Sequence, residues 1–284
     1  MKQLSHLKTL LLRRWQGTDW VGRLLILQAG SYLLLELVSL LCSIIQPLSW
    51  WDVASLLSFY PDGALLLRSP WRLVLYILPH QHFLHLLANL ALIYLLLPPV
   101  LRFFGSYRML SLYLGGAVLG GLTYLLGYHL LSAYGVEVLP WSLRGCSAAF
   151  VACFTALLVQ PQGLRQLRSK VSRGFLLLAL LLLIFAGVST NLGGTLAHIG
   201  GLVFGLVYGW NYRQGRDLLD PLLRRFYQTP SSSSTDEELR TKLRHSGYAS
   251  LTPEERARLR QLRKSAHLLL LHDMHDYLSD LLFY

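Results

Sequence analysis

The feature that most constrains this chain is a series of apolar stretches long enough to cross a lipid bilayer. A transmembrane helix needs about 20 mainly apolar residues, and Leu24–Ile45 meets this length although it contains Glu36. Hydrophobic residues make up 53% of the 284 residues and charged residues 14%, against roughly 25% charged residues in soluble domains. The sequence therefore predicts an all-α integral membrane protein embedded in a lipid bilayer.

Six membrane spans are predicted, at residues 24–45, 82–104, 108–132, 144–160, 174–190 and 194–212. Lys and Arg gather before the first span and after the second, fourth and sixth. By the positive-inside rule, both termini are expected in the cytoplasm. The first span is too long for a cleavable signal peptide, so we expect it to stay in the membrane.

The chain divides into three predicted regions. Residues 1–20 form a basic amphipathic segment, either on the cytoplasmic membrane surface or as a solvated arm. Residues 21–213 form the six-helix membrane domain, in which 46–79, rich in proline and aromatic residues, is a partly helical loop embedded in the outer leaflet. Residues 214–284 form a cytoplasmic helical extension, with charged helices beginning after Thr235 and Thr252 and an amphipathic helix at Ala266–Tyr284.

The net charge of +11 raises nucleic acid as a partner. The basic residues, however, flank the apolar runs and fill the extension, which favours anionic lipid and membrane insertion over nucleic acid. The three cysteines, Cys42, Cys146 and Cys153, all lie in apolar segments and imply no disulfide framework.

The candidate nucleophile is Ser147, which follows small residues at the start of an apolar segment. A serine hydroxyl reacts only when a base takes its proton, and His198 is the candidate base. By the predicted orientation, His85, Ser147 and His198 all lie about 5–10 Å below the outer ends of their spans. Asn89, four residues after His85, shares its helix face, so these two side chains can stabilise an oxyanion. The acidic residues Asp52, Asp62 and Glu137 lie in loops, which favours a Ser–His dyad.

Glycines recur every four residues in the sixth span and again at 116 and 120 in the third. Such spacing lets membrane helices approach closely, which a hydrogen bond between Ser147 and His198 requires. Ordinary helix packing explains the same pattern.

The histidines raise a zinc site as an alternative. The H-E-x-x-H sequence is absent, and the spacing of His80, His82 and His85 does not place all three on one helical face. His272 and His275 are interpreted as surface residues of the extension. We expect neither a metal nor another cofactor.

The chain resembles the rhomboid intramembrane serine proteases over residues 20–212. The resemblance lies in Trp71-Arg72 with the run His80–Asn89, in Gly145-Cys146-Ser147-Ala148, and in Ala197-His198-Ile199-Gly200-Gly201 with Gly205. It implies a six-helix rhomboid-like bundle that cleaves transmembrane protein substrates in or near their membrane spans. Ser147 would be the nucleophile and His198 the base, with His85 and Asn89 at the oxyanion hole. Residues 246–252 resemble an extension of some bacterial rhomboids, which implies a bacterial inner membrane.

Three positions depart from the family pattern. Leu101 stands where an acidic residue is usual, Ala148 replaces the commoner glycine, and Val151 replaces an aromatic residue, with Phe150 one position early. Glu36 is a candidate to replace the missing carboxylate. The departures motivate an alternative function, a catalytically silent rhomboid-like protein that binds membrane-protein clients.

Overall fold

The computed structural model describes residues 18–45, 50–136, 139–161, 191–219, 221, 236–246, 250–259 and 262. Within these residues the secondary structure is helical, with one isolated antiparallel bridge between Phe59 and Leu143 and no strand. The helices are α1 (Trp20–Ile45), α2 (Trp50–Ser55), α3 (Gly63–Arg68), α4 (Arg72–Leu75), α5 (Phe83–Phe104), α6 (Ser106–Ala133), α7 (Ser147–Leu158), α8 (Leu192–Arg213) and α9 (Asp236–Ser246).

Four of these helices, α1, α5, α6 and α8, are long and apolar enough to cross a membrane. They correspond to the predicted first, second, third and sixth spans. The predicted fifth span at 174–190 lies outside the described residues, as do residues 1–17 and Ala266–Tyr284. The count of six spans therefore stays a prediction.

The predicted span at 144–160 is shorter in the structure, where α7 has 12 residues. At 1.5 Å per residue it is about 18 Å long, less than the ~30 Å hydrocarbon core. The preceding residues cannot extend it, because Gly145 has a φ of +104° and Cys146 is outside helical geometry. Residues 148–157 are all buried between α5, α6 and α8, so α7 is the centre of the bundle.

The segment between α1 and α5 is partly helical, as predicted, since it contains α2, α3 and α4. Arg72 fixes its path by donating from Nη1 to the carbonyl oxygens of Ser55 and Ser58, the latter at 2.8 Å. Asp62 caps α3 by accepting from the backbone N–H groups of its first turn. The loop is therefore ordered by its own polar contacts.

The extension contains α9 and a helical segment at 253–259, the two positions where charged helices were predicted. The second begins with a capping box, in which Thr252 Oγ1 accepts from Glu255 N–H and Glu255 Oε2 accepts from Thr252 N–H at 2.7 Å. Lys242 Nζ lies 2.7 Å from Glu255 Oε1 and joins the two helices. Helix α9 packs against α6, with Leu239 fully buried.

Candidate active site

The structure brings Ser147 and His198 together. Ser147 is the first residue of α7, and His198 lies near the end of the second turn of α8. Ser147 Oγ lies 2.6 Å from His198 Nε2, a hydrogen-bond distance. Both side chains are half-buried. A hydroxyl and an imidazole in this arrangement have the geometry of a nucleophile and its base.

The dyad can form because α7 and α8 touch backbone to backbone. Gly205 faces Ala152, and a Cβ at position 205 would lie 2.4 Å from the Ala152 carbonyl oxygen. Gly209 faces Ala156 in the same way, with 2.9 Å to its carbonyl oxygen. Small residues on both helices therefore bring their axes close, as the glycine spacing predicted.

His85 and Asn89 lie against the glycine two residues before the nucleophile. A Cβ on Gly145 would be 2.9 Å from His85 Cε1 and 3.3 Å from Asn89 Nδ2. The Gly145 N–H donates to the Tyr76 carbonyl oxygen at 2.9 Å. Its positive φ suits glycine, and the lack of a side chain leaves room for both polar groups beside Ser147.

The Asn89 side chain is an available donor. Asn89 is 2% exposed, and its Nδ2 is buried without a hydrogen-bond partner in the described part of the chain. Leaving a buried donor unpaired costs about 1–3 kcal/mol. Such a donor is suited to a charge that develops only during a reaction.

The histidines around α5 have separate partners. His82 caps α5 by accepting the His85 backbone N–H at 3.1 Å. The buried His80 lies with Nδ1 3.2 Å from the Leu78 carbonyl oxygen. The residues that the structure describes contain no group of three or more His, Cys, Asp or Glu placed to hold a metal. Trp71 Nε1 and Arg72 Nη1 donate to the carbonyl oxygens of Leu56 and Ser58 in the preceding loop.

Glu36 does not replace the carboxylate missing at Leu101. Glu36 lies about one turn after Tyr32 on α1, and the Tyr32 ring lies 6.4 Å from that of Phe83 at the start of α5. Leu101 is 18 residues further along α5, about 27 Å away at 1.5 Å per residue. That expectation is therefore wrong, because the two positions lie at opposite ends of the bundle.

The other two departures from the family pattern fit the packing. Phe150 and Val151 are both fully buried in α7. The methyl group of Ala148 is accommodated by Gly120 of α6, where a Cβ would lie 2.9 Å from the Ala148 Cβ. The larger residue at 148 is thus matched by a glycine on the facing helix.

Sequence reasoning missed a buried polar cluster beneath Ser147. It contains Gln28, Tyr113, Cys146 and His80, each of them 0 to 1% exposed. Burial, reinforced by the neighbouring His85 and opposed by the Leu78 carbonyl, lowers the pKa of His80 to about 4, so its imidazole is neutral at physiological pH. The sequence signal for this cluster was Gln28, a lone amide in an otherwise apolar helix.

The family model of the Rhomboid domain matches residues 67–215, more than half of the chain. The match covers α5, α6, α7 and α8 and every residue of the candidate site. No curated protein matches the chain.

Proposed function

Because this chain belongs to the rhomboid family, we propose that it is an intramembrane serine endopeptidase that cleaves membrane proteins in or near their transmembrane segments. The family typically has this activity. The observation that supports the proposal most strongly is the 2.6 Å distance between Ser147 Oγ and His198 Nε2. The chemistry requires no cofactor.

In the proposed reaction His198 acts first as a general base. Its Nε2 takes the Ser147 hydroxyl proton while Oγ attacks the substrate carbonyl carbon, which gives a tetrahedral oxyanion. The protonated His198 then donates to the leaving amine, and the peptide C–N bond breaks. Water, activated by the same histidine, hydrolyses the acyl-enzyme and regenerates the serine.

The oxyanion would be stabilised by donors that surround Gly145. Asn89 Nδ2 is buried and His85 lies beside it, and the backbone N–H of Ser147 is a third donor in our proposal. Fixed donors of this kind act without reorganising when the charge appears. We assign His85 and Asn89 this role, distinct from proton transfer.

The test is cleavage of a single-span substrate by the full chain in detergent, beside labelling by a fluorophosphonate or isocoumarin probe. Ser147→Ala should abolish cleavage and labelling, and His198→Ala should abolish cleavage. Ser43→Ala is the control, since Ser43 is exposed and bonds within its own helix. Cleavage by Ser147→Ala at the wild-type rate would refute the assignment. A wild type that neither cleaves nor labels would favour the catalytically silent alternative.

The protein is an integral membrane protein, and we propose that it crosses a bacterial inner membrane six times with both termini in the cytoplasm. The distribution of Lys and Arg supports this orientation. A reporter fused after Tyr284 should be cytoplasmic, and one within residues 46–79 external. The opposite result would place the dyad near the cytoplasmic face.

A further inference from the structure

A chain of hydrogen-bonding groups runs through the bundle from α1 to the residue before the nucleophile. Gln28 of α1 donates from Nε2 to the Tyr113 hydroxyl of α6 at 3.1 Å. The Cys146 thiol is the next polar group beyond that hydroxyl and interacts with it. Cys146 Sγ lies 4.0 Å from His80 Nε2, a long contact of the kind that sulfur makes.

The directions of these bonds are mutually consistent. Since the Tyr113 oxygen accepts from Gln28, its proton points to Cys146, and the thiol proton points to His80 Nε2. The Nδ1–H of His80 then donates to the Leu78 carbonyl oxygen, 3.2 Å away. Each group between the ends donates once and accepts once, and consecutive hydrogen bonds in such a chain polarise and strengthen one another.

Both ends of this chain are held by the same helix. Gln28 begins it, and Ser31, one turn later on α1, places its Oγ 3.2 Å from the Leu78 carbonyl oxygen that ends it. Neither residue lies within the matched 67–215 region. Gln28 is fully buried, and these two side chains connect α1 to the site by hydrogen bonds.

This chain of hydrogen-bonding groups acts on Cys146, and the position of Cys146 controls the nucleophile. Cys146 is fully buried and precedes Ser147, so its backbone sets the direction of the first N–H and Cβ of α7. The preceding residue is held by the bond from Gly145 N–H to Tyr76 O at 2.9 Å. A loop fixed on one side by its backbone and on the other by its thiol keeps Ser147 facing His198.

We propose that Gln28 and Tyr113 are positioning residues, which act through Cys146 to orient Ser147, and that α1 is thereby part of the active-site architecture. The inference rests on the proposed function. An apolar core would serve stability equally well, because replacing a buried polar pair by apolar groups of the same shape is nearly neutral. A role in orientation explains why polar groups occupy this place.

The test compares variants that remove one hydrogen-bonding group and keep the shape. Tyr113→Phe, Gln28→Leu and Cys146→Ala are assayed for kcat, KM, probe-labelling rate and melting temperature. Tyr208→Phe is the matched control, since its buried hydroxyl bonds to Asp217 at the end of α8 remote from His198. Cys146→Ser keeps a donor and an acceptor and serves as the rescue variant.

We expect Tyr113→Phe and Cys146→Ala to lower kcat and the labelling rate about 10- to 100-fold with KM unchanged, as a misplaced nucleophile does. Cys146→Ser should recover most of the loss, and Tyr208→Phe should change melting alone. If Tyr113→Phe keeps wild-type kcat, the proposal is wrong while the protease assignment stands. A wild-type protein that is not labelled at Ser147 overturns both.

Discussion

Gly201 lies so close to Ala148 that a Cβ at position 201 would be 2.3 Å from the Ala148 carbonyl oxygen. This contact joins α8 to α7 one residue after Ser147 and three residues after His198. The atom it would meet is backbone, which cannot rotate away as a side chain can. The separation of the two helices at the level of the dyad is therefore set by the absence of one methyl group.

Gly201→Ala should separate Ser147 from His198. Relieving the clash requires a shift of helix backbone, with an expected destabilisation of about 1–3 kcal/mol and a fall in turnover of about 100-fold for a displacement near 1 Å. Cleavage rate and melting temperature are the measurements. Gly30→Ala is the control, because a Cβ there meets nothing within 4 Å. Equal turnover in the two variants would contradict the prediction.

Asn89→Ala should lower turnover about 10²- to 10³-fold, the usual effect of removing one oxyanion donor. Because Asn89 Nδ2 has no partner among the described residues, its loss should leave melting nearly unchanged and Ser147 still reactive with a probe. Asn211→Ala is the control, since Asn211 donates to the Val207 carbonyl oxygen of its own helix. Wild-type turnover in Asn89→Ala would remove Asn89 from the site.

His85→Ala tests the second proposed donor. We expect a fall in turnover of about 10²-fold, with the melting temperature kept, because the cap that His82 provides to α5 uses the backbone N–H of residue 85 and survives the change. Steady-state kinetics beside a thermal melt is the measurement. A variant that melts early and cleaves at the wild-type rate would show that His85 serves packing.

Stability should fall as the pH falls from 6.5 to about 4, because the pKa of His80 is lowered from 6.5 to about 4 by burial, the nearby His85 adding to this. Over that interval the unfolded chain binds the proton and the folded chain does not. The full effect is on the order of 3 kcal/mol. Between pH 6.5 and 4, the melting temperature of His80→Asn should change less with pH than that of wild type. The melting temperature of the exposed His129→Asn should follow wild type.

Glu255→Gln should loosen the extension. Lys242 and Glu255 are 8% and 15% exposed as side chains, and breaking a pair this buried costs about 3 kcal/mol. Burial acts to raise the pKa of Glu255, but hydrogen bonds from Lys242 and from the Thr252 backbone outweigh it and lower the pKa. The stabilisation that the Lys242–Glu255 pair gives to the extension is therefore lost as the Glu255 carboxylate is protonated at low pH.

Hydrogen exchange of residues 236–259 is the measurement for Glu255→Gln. Asp236→Asn is the matched control, since its pair with Arg258 is about half exposed at 47% and 52% and should contribute under about 1 kcal/mol. Equal protection in the two variants would contradict the prediction.

The family and most of the described helices could be predicted from sequence because they depend on local patterns. The length of the apolar runs predicted α1, α5, α6 and α8, and the spacing of Thr252 and Glu255 predicted the start of a helix. The meeting of Ser147 with His198 was expected from their common depth and from glycines that permit close helices. Their catalytic roles stay a proposal.

The remaining features depend on which faces meet across the bundle. The apolar run at 144–160 does not show that α7 begins only at Ser147, since this follows from the turn at Gly145. The position of Glu36 relative to Leu101 required the pairing of α1 with α5. Cys146 looked like an ordinary apolar residue, and only its neighbours Tyr113 and His80 give it a polar role.

The contact between α7 and α8 repeats with the same four-residue period on both helices. Its members are Gly201, Gly205 and Gly209 on one side and Ala148, Ala152 and Ala156 on the other. A slide of one residue would press a side chain such as Leu202 against a carbonyl oxygen. The next register that matches glycine to alanine is four residues away, about 6 Å along the axis. The two helices can therefore slide past each other only in whole steps, and a smaller opening of the dyad has to come from side-chain rotation or helix tilt.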